Sequence, residues 1–266
     1  MRRHIFNLLT TPSGSISFES EYTALLARAT TLGYTLPSTS QQIKQNKLLV
    51  DLKAAGAWTK LDVFYMFATD GNSSFATLNW KNPNTNQSTL VNSPTFTANQ
   101  GFAGNGTSSY INTNYNPSTF ASPKYLLNDA SLGWHKRTTG TLSTVRNIVG
   151  VASFRINMVN QNSNNQIFNT TFGTGQSIAT NFGINGFALA NKTGSLAGTN
   201  YVANTTPINY TALAVDALPA TNVLLFSSTG LANFSDVQLS YFFAGANLSA
   251  FASPLFTSFN NYLTSI

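Results

Sequence analysis

The chain contains no cysteine, which excludes both a disulfide framework and a thiolate-held metal. Charge is nearly as scarce. Only 8% of the 266 residues are charged, and the acids are Glu19, Glu21, Asp51, Asp62, Asp70, Asp129, Asp216 and Asp236. Glycoside hydrolysis asks for two facing carboxylates. No two acids after residue 60 stand two or four positions apart, the spacing that sets a pair on one face of a strand. Histidine occurs only as His4 and His135, so a Ser-His-Asp site must use one of them. Asp129 and His135 share a strand parity, yet six extended residues would hold them roughly 20 Å apart. The chain therefore reads as non-enzymatic, with His135 a polar strand residue beside Lys136. Long apolar runs are missing too. None approaches the roughly 20 residues that cross a bilayer, and Thr10, Thr11 and Pro12 cut the apolar start short of a secretion signal.

What the chain does have is 42% hydrophobic and 12% aromatic residues, 18 glycines, and an abundance of Asn, Thr and Ser. That mixture suits many short strands joined by polar turns, with enough apolar surface for a core. The net charge is +6. It is spread over Arg2 and Arg3, then Lys44, Lys47 and Lys53, and only His135-Lys136-Arg137 forms a later run, so nucleic acid is not the expected partner.

Two organisations follow each other along the chain. A helix is expected from about Ser17, with Tyr22, Leu25, Leu26, Ala29 and Leu32 on one side and Gly33 and Pro37 at its end. A second opens at Ser38 or Thr39, where Gln41 or Gln42 would complete a capping box, presents Ile43, Lys47, Val50 and Ala54, and stops at Gly56. Residues 1–60 thus read as an N-terminal helical arm, suited to anchoring and assembly because a hairpin this small cannot bury its own apolar stripe. From Leu61 the period becomes two. Val237, Leu239, Tyr241 and Phe243 are expected on one side of a strand, as are Leu126, Ala130, Leu132 and Trp134, and Ala152, Phe154, Ile156 and Met158. Asn105-Gly106 and Asn185-Gly186 mark tight turns. Residues 61–266 read as an all-β sandwich closed by a helix over 250–264, started by Ser253 with Pro254 or earlier by Ser249, with Phe251, Leu255, Phe259 and Tyr262 along one side.

Several short motifs occur in a telling order. A helix ending in Gly56 feeds Trp58 and then the aromatic strand Leu61 to Phe67, followed by Asn79-Trp80-Lys81-Asn82-Pro83 and a Gly-rich stretch from Gly101 to Tyr110. Trp134-His135-Lys136-Arg137-Thr138, Ile148-Val149-Gly150, Tyr201-Val202-Ala203-Asn204 and Leu248-Ser249 through Tyr262 come next. In this order the chain resembles the concanavalin A/laminin G-like jelly-roll virion proteins of tailed bacteriophages, of the Bacteroidetes-phage type, over most of residues 40–266. Thr205 and Ser227 stand where glycines are usual in that pattern, so nothing about the loops there carries over.

The resemblance implies a structural accessory protein on the head or tail surface of a virion, assembled in the bacterial host cytoplasm. Its partners would be other virion proteins or copies of itself, with the lectin-like sandwich displayed toward glycans or a host surface. The alternative is a free carbohydrate-binding module or a secreted glycoside hydrolase-like protein. Sugar binding needs an aromatic platform with amides and hydroxyls beside it. Trp80, Tyr110, Tyr115 and Tyr201, in or beside polar loops, are the candidates; the competing reading makes Trp58, Trp80 and Trp134 core residues. No cofactor is expected. Calcium has one weak candidate site, Asp70 and Asn72 in the loop 68–74, where Asp70-Gly71 reads more simply as a turn.

Overall fold

The computed structural model describes residues 17–141, 146–151, 154–158, 165–168, 176–179, 185–211, 217–228 and 230–266, with backbone alone for strand residues in 151–179 and for 210–211. Among the described residues four helices are present: α1 (Ser20–Thr31), α2 (Thr39–Ala54), the single turn α3 (Ser73–Ala76) and α4 (Ala252–Ser265). The first strands are β1 (Leu61–Met66), β2 (Thr89–Val91), β3 (Thr95–Thr97), β4 (Gly101–Ala103), β5 (Tyr110–Asn112), β6 (Ala130–Lys136) and β7 (Arg146–Val151). The rest are β8 (Phe154–Met158), β9 (Asn165–Phe168), β10 (Gln176–Ala179), β11 (Gly186–Gly194), β12 (Ala197–Val202), β13 (Ile208–Thr211), β14 (Leu224–Leu225) and β15 (Gln238–Gly245).

These strands form two antiparallel sheets of a jelly-roll sandwich. One sheet runs β13-β12-β11-β6-β15-β4-β3 with β1 also on β15, and the other runs β10-β9-β8-β7-β14-β5-β2. Strands β4 and β1 pair with successive parts of β15, β4 with Gln238 and Leu239 and β1 with Tyr241 to Gly245. On their inner faces Val63, Phe67, Leu132, Trp134 and Phe242 of the first sheet meet Ile111, Val149 and Leu225 of the second. The outer face of the first sheet is not open to water. Phe64, Met66, Leu189, Tyr241 and Phe243 are covered there by Leu25 of α1, Leu48 and Leu52 of α2, and Leu255, Phe259 and Tyr262 of α4. The described part of the arm, residues 17–60, therefore has its apolar stripe on the chain's own sandwich, and the molecule has three layers.

The first two helices depart from expectation in their caps and faces, and α4 follows it. Glu19, not Ser17, precedes α1, and its amide donates to Asn46 Oδ1 of α2 at 2.8 Å. Gly33, with φ 70°, ends α1 as the pattern required, letting the Tyr34 amide reach back to the Ala29 carbonyl. Ser38 caps α2, but Gln41 and Gln42 complete no box, since their side chains bond to Asn99 and to the Pro37 carbonyl. The buried face of α2 is Gln41, Gln45, Leu48, Leu49 and Leu52, while Ile43 is 42% exposed. The expected face was wrong because two glutamines occupy the one that is buried. Gln45 accepts from Tyr22 Oη at 2.7 Å and donates to Thr69 Oγ1 and Tyr262 Oη, each at 3.1 Å, so a polar side chain is satisfied in a place the period assigns to an apolar one. Helix α4 follows a 3-10 turn at Ser249–Phe251, which places Pro254 in its first turn, and Leu255, Phe259 and Tyr262 are buried as expected.

Candidate functional site

Strand β15 carries the feature that builds the site. Its register against β6 shifts between Leu239 and Tyr241, a β-bulge at Ser240. Ahead of the bulge Val237 and Leu239 point between the sheets; after it Tyr241 and Phe243 point toward the helices. The four residues expected on one side are thus split across two, because one extra residue reverses the alternation. Gly133 makes room for the result. The Phe243 ring lies across it so closely that a Cβ there would sit 1.9 Å from Phe243 Cζ.

The bulge also brings Ser240 beside His135. Ser240 Oγ donates to the Gln100 carbonyl at 3.0 Å, so its own proton is committed and it accepts from His135 Nδ1 at 3.1 Å and from an Arg137 nitrogen at 3.4 Å. With the Ser240 proton placed on the Gln100 carbonyl, the hydrogen-bond network assigns the Nδ1–H tautomer and leaves Nε2 as an acceptor. Burial, and after it the Arg137 charge, push the His135 pKa down to about 4, so the imidazole is neutral at pH 7. The run His135-Lys136-Arg137 is no basic patch either. Lys136 is 3% exposed on the opposite side of the strand from its neighbours, and burial lowers its pKa to about 8.

Over His135 and Tyr241 lies a cavity of about 200 Å³, closed by α4 and lined also by Asn185, Phe187, Phe256 and Asn260. Its floor is rigid. Tyr241 stacks on Phe259 at 4.0 Å between centroids, and Phe187 meets Phe256 edge-on at 5.8 Å. The Tyr241 hydroxyl is buried and finds no hydrogen-bond partner among the described residues. Asn185 and Asn260 are exposed at the rim. Of these residues the sequence singled out His135, and Asn185 only as a turn; nothing in its pattern announced that a bulge would turn Tyr241 toward a helix.

The four aromatic candidates for a sugar platform are not brought together. Trp80 and Tyr201, 2% and 6% exposed, lie in the layer beneath the helices, and Tyr115 is fully buried between the sheets. Their loops fold the rings inward, as apolar area dictates. Tyr115 Oη donates to Asp62 at 2.8 Å and Tyr201 Oη to the Ser249 carbonyl at 3.1 Å. Tyr110 alone keeps partial exposure, at 6.4 Å from the Phe234 ring. Trp58 and Trp134 are core residues, with the Lys81 ammonium 4.0 Å from the Trp58 ring centroid.

The described sandwich carboxylates bind backbone. Asp62 accepts from Tyr115 Oη and the amides of Lys124 and Tyr125, Asp129 from the Asn247 amide, and Asp236 from Thr141 with Arg146 nearby. Asp129 and His135 have separate partners, and the buried Ser240 donates to a carbonyl. Asp216 lies outside the described residues, as do the side chains of 152–158. Asp70 accepts from the Ser38 amide at 3.0 Å and Asn72 caps α3 through the Phe75 amide at 2.9 Å. One carboxylate and an amide already so engaged do not supply the six to eight oxygens of a calcium shell. No group of three metal-ligating side chains occurs among the described residues.

No protein-family model and no curated protein matches the sequence. Solved structures resemble its fold. A mutant Trypanosoma rangeli sialidase with trans-sialidase activity aligns at TM-score 0.54 and 11% identity, covering 82% of this chain and 39% of the sialidase. Trypanosoma rangeli sialidase itself aligns at TM-score 0.51 and 10% identity, over 85% of this chain and 40% of that one. The botulinum neurotoxin serotype D binding domain aligns at TM-score 0.47 and 8% identity, over 71% and 49%. The chain spans about two fifths of the sialidases' length, and their likeness shows the sandwich fold.

Proposed function

We propose that this protein is a non-enzymatic structural accessory protein of a tailed-phage virion, on the head or tail surface, with its sandwich displayed for contact with glycans or a host surface. The observation that carries the reading is the placement of the ordered motifs on the fold. Asn79 follows β1 and its Oδ1 accepts from the Phe64 amide at 3.2 Å, tying the Asn-Trp-Lys motif to the first strand. The Gly-rich stretch crosses from β4 in one sheet to β5 in the other, Trp134 to Lys136 end β6, Ile148-Val149-Gly150 lie in β7, and the Leu-Ser element opens the turn into α4. Each motif thus marks an element of the sandwich or its closing helix. The absence of catalysis is supported by the engagement of the described carboxylates with backbone amides. The test is mass spectrometry of purified particles from cells that carry the gene. The reading expects the chain at a fixed copy number per particle; infectious particles that contain none of it would overturn the assignment.

A further inference from the structure

We propose that the cavity between Tyr241 and α4 binds one neutral hexopyranose residue, gripped by its aromatic walls, by the Asn185 and Asn260 amides and by His135 Nε2. The inference rests on the glycan-contact half of the proposed function and assigns it a place. Size sets the first limit. A cavity of about 150 Å³ takes one benzene ring, so about 200 Å³ takes a single ring with its substituents and not a disaccharide. The lining sets the class of ligand. Phe187 and Phe256 offer the ring faces and edges that cover the C–H surface of a sugar, and two amides at the rim supply both donors and acceptors.

Charge excludes the nearest competitors. Among the described residues no Lys, Arg, Asp or Glu lines the cavity, and His135 is neutral at pH 7, so none of these lining side chains balances a phosphate, a carboxylate or an ammonium group. The imidazole has one use left. With Nδ1 tied to Ser240, Nε2 can only accept, which matches a ligand hydroxyl and gives a plain hydrocarbon ring nothing. The Tyr241 ring lines the same space, while its buried hydroxyl is closed off from it.

The experiment titrates the full chain with the methyl glycosides of glucose, galactose, mannose and N-acetylglucosamine, and with phenol, while following imidazole C–H resonances by NMR. The His135 signals are assigned by their loss in His135→Phe. The expected result is that one glycoside saturates with a Kd in the millimolar range, moves the His135 signals, and outcompetes phenol. Asn260→Ala, on the exposed side of α4, should weaken that glycoside by about fivefold, with Asn185→Ala as the second variant. The proposal is overturned if no glycoside moves His135, if phenol binds more tightly than every glycoside, or if both variants, folded by circular dichroism, bind as the parent does. A glycan array run beside it separates the two ideas. Glycans captured with His135 unmoved would sink this site and spare glycan contact, whereas an empty array would sink both.

Discussion

The layer between the two sheets and the layer between the first sheet and the helices share strands but differ in chemistry. Between the sheets, side chains such as Val63, Phe102, Ile111, Leu132 and Leu225 meet one another, and the Tyr65 hydroxyl leaves for the carbonyls of Asn86 and Thr113. Beneath the helices an equally aromatic set surrounds a polar cluster, Gln41, Gln45, Thr69, Tyr22 and Tyr262, and beside it the cavity over His135. In the first layer the hydroxyls of Tyr65 and Tyr115 bond locally within the sandwich, whereas in the second a connected set of side chains ties α1, α2 and α4 to the segment after β1 and holds the helices in one orientation. The helices are thus part of the folded unit, and the chemistry open to a ligand lies where they meet the sheet.

The sharpest way to break that comparison is to remove one ring from each layer. Phe259 stacks on Tyr241 and Phe243 with centroids 4.0 and 5.6 Å away and meets Phe64 at a tilt with centroids 5.7 Å apart. Phe259→Ala and Trp134→Ala should each cost about 3–5 kcal/mol in urea unfolding. A far smaller loss for Phe259→Ala would make the helical layer an appendage. The polar cluster gives the next effect. Gln45→Ala leaves the Tyr22 hydroxyl without its acceptor, while Thr69 keeps Gln41, and should cost about 2–3 kcal/mol, whereas Lys47→Ala on the exposed side of the same helix should stay within about 0.5 kcal/mol.

The smallest effect is a pH dependence. His135 in the folded chain titrates at about 4, below the ordinary 6.5, so the unfolded chain takes up the proton first. Its contribution to stability is flat above about pH 6.5 and falls as the pH drops from there toward 4, by roughly 1–2 kcal/mol at pH 5. His135→Phe should remove that part of the slope in melting temperature between pH 7 and 5. An unchanged slope would place the neutral imidazole elsewhere.

Much of this architecture was legible in the residues, and the failures have physical causes. The change of period after Gly56, the Trp58 junction, Gly33 as a helix stop and the buried side of α4 follow from local rules that the fold obeys. The sandwich with flanking helices was legible on the same grounds. The side of β15 was misread because a bulge is set by pairing with β1, β4 and β6, which one strand's alternation does not contain. The face of α2 was misread because Gln41 and Gln45 are satisfied only by residues distant in sequence. Trp80, Tyr115 and Tyr201 looked like platforms because polar residues flank them, yet the rings themselves carry enough apolar area to turn inward. The cavity joins side chains from β6, β11, β15 and α4, so no window of sequence displays it.

Native-state hydrogen exchange, resolved by residue, tests most directly the claim that the helices and the first sheet are one unit. The amides in the middle of α2 and α4 should open with the same free energy, and the same dependence on denaturant, as those of β6 and β15. Helices that exchange through a separate opening, at lower free energy and with little denaturant dependence while the strands stay protected, would contradict the account.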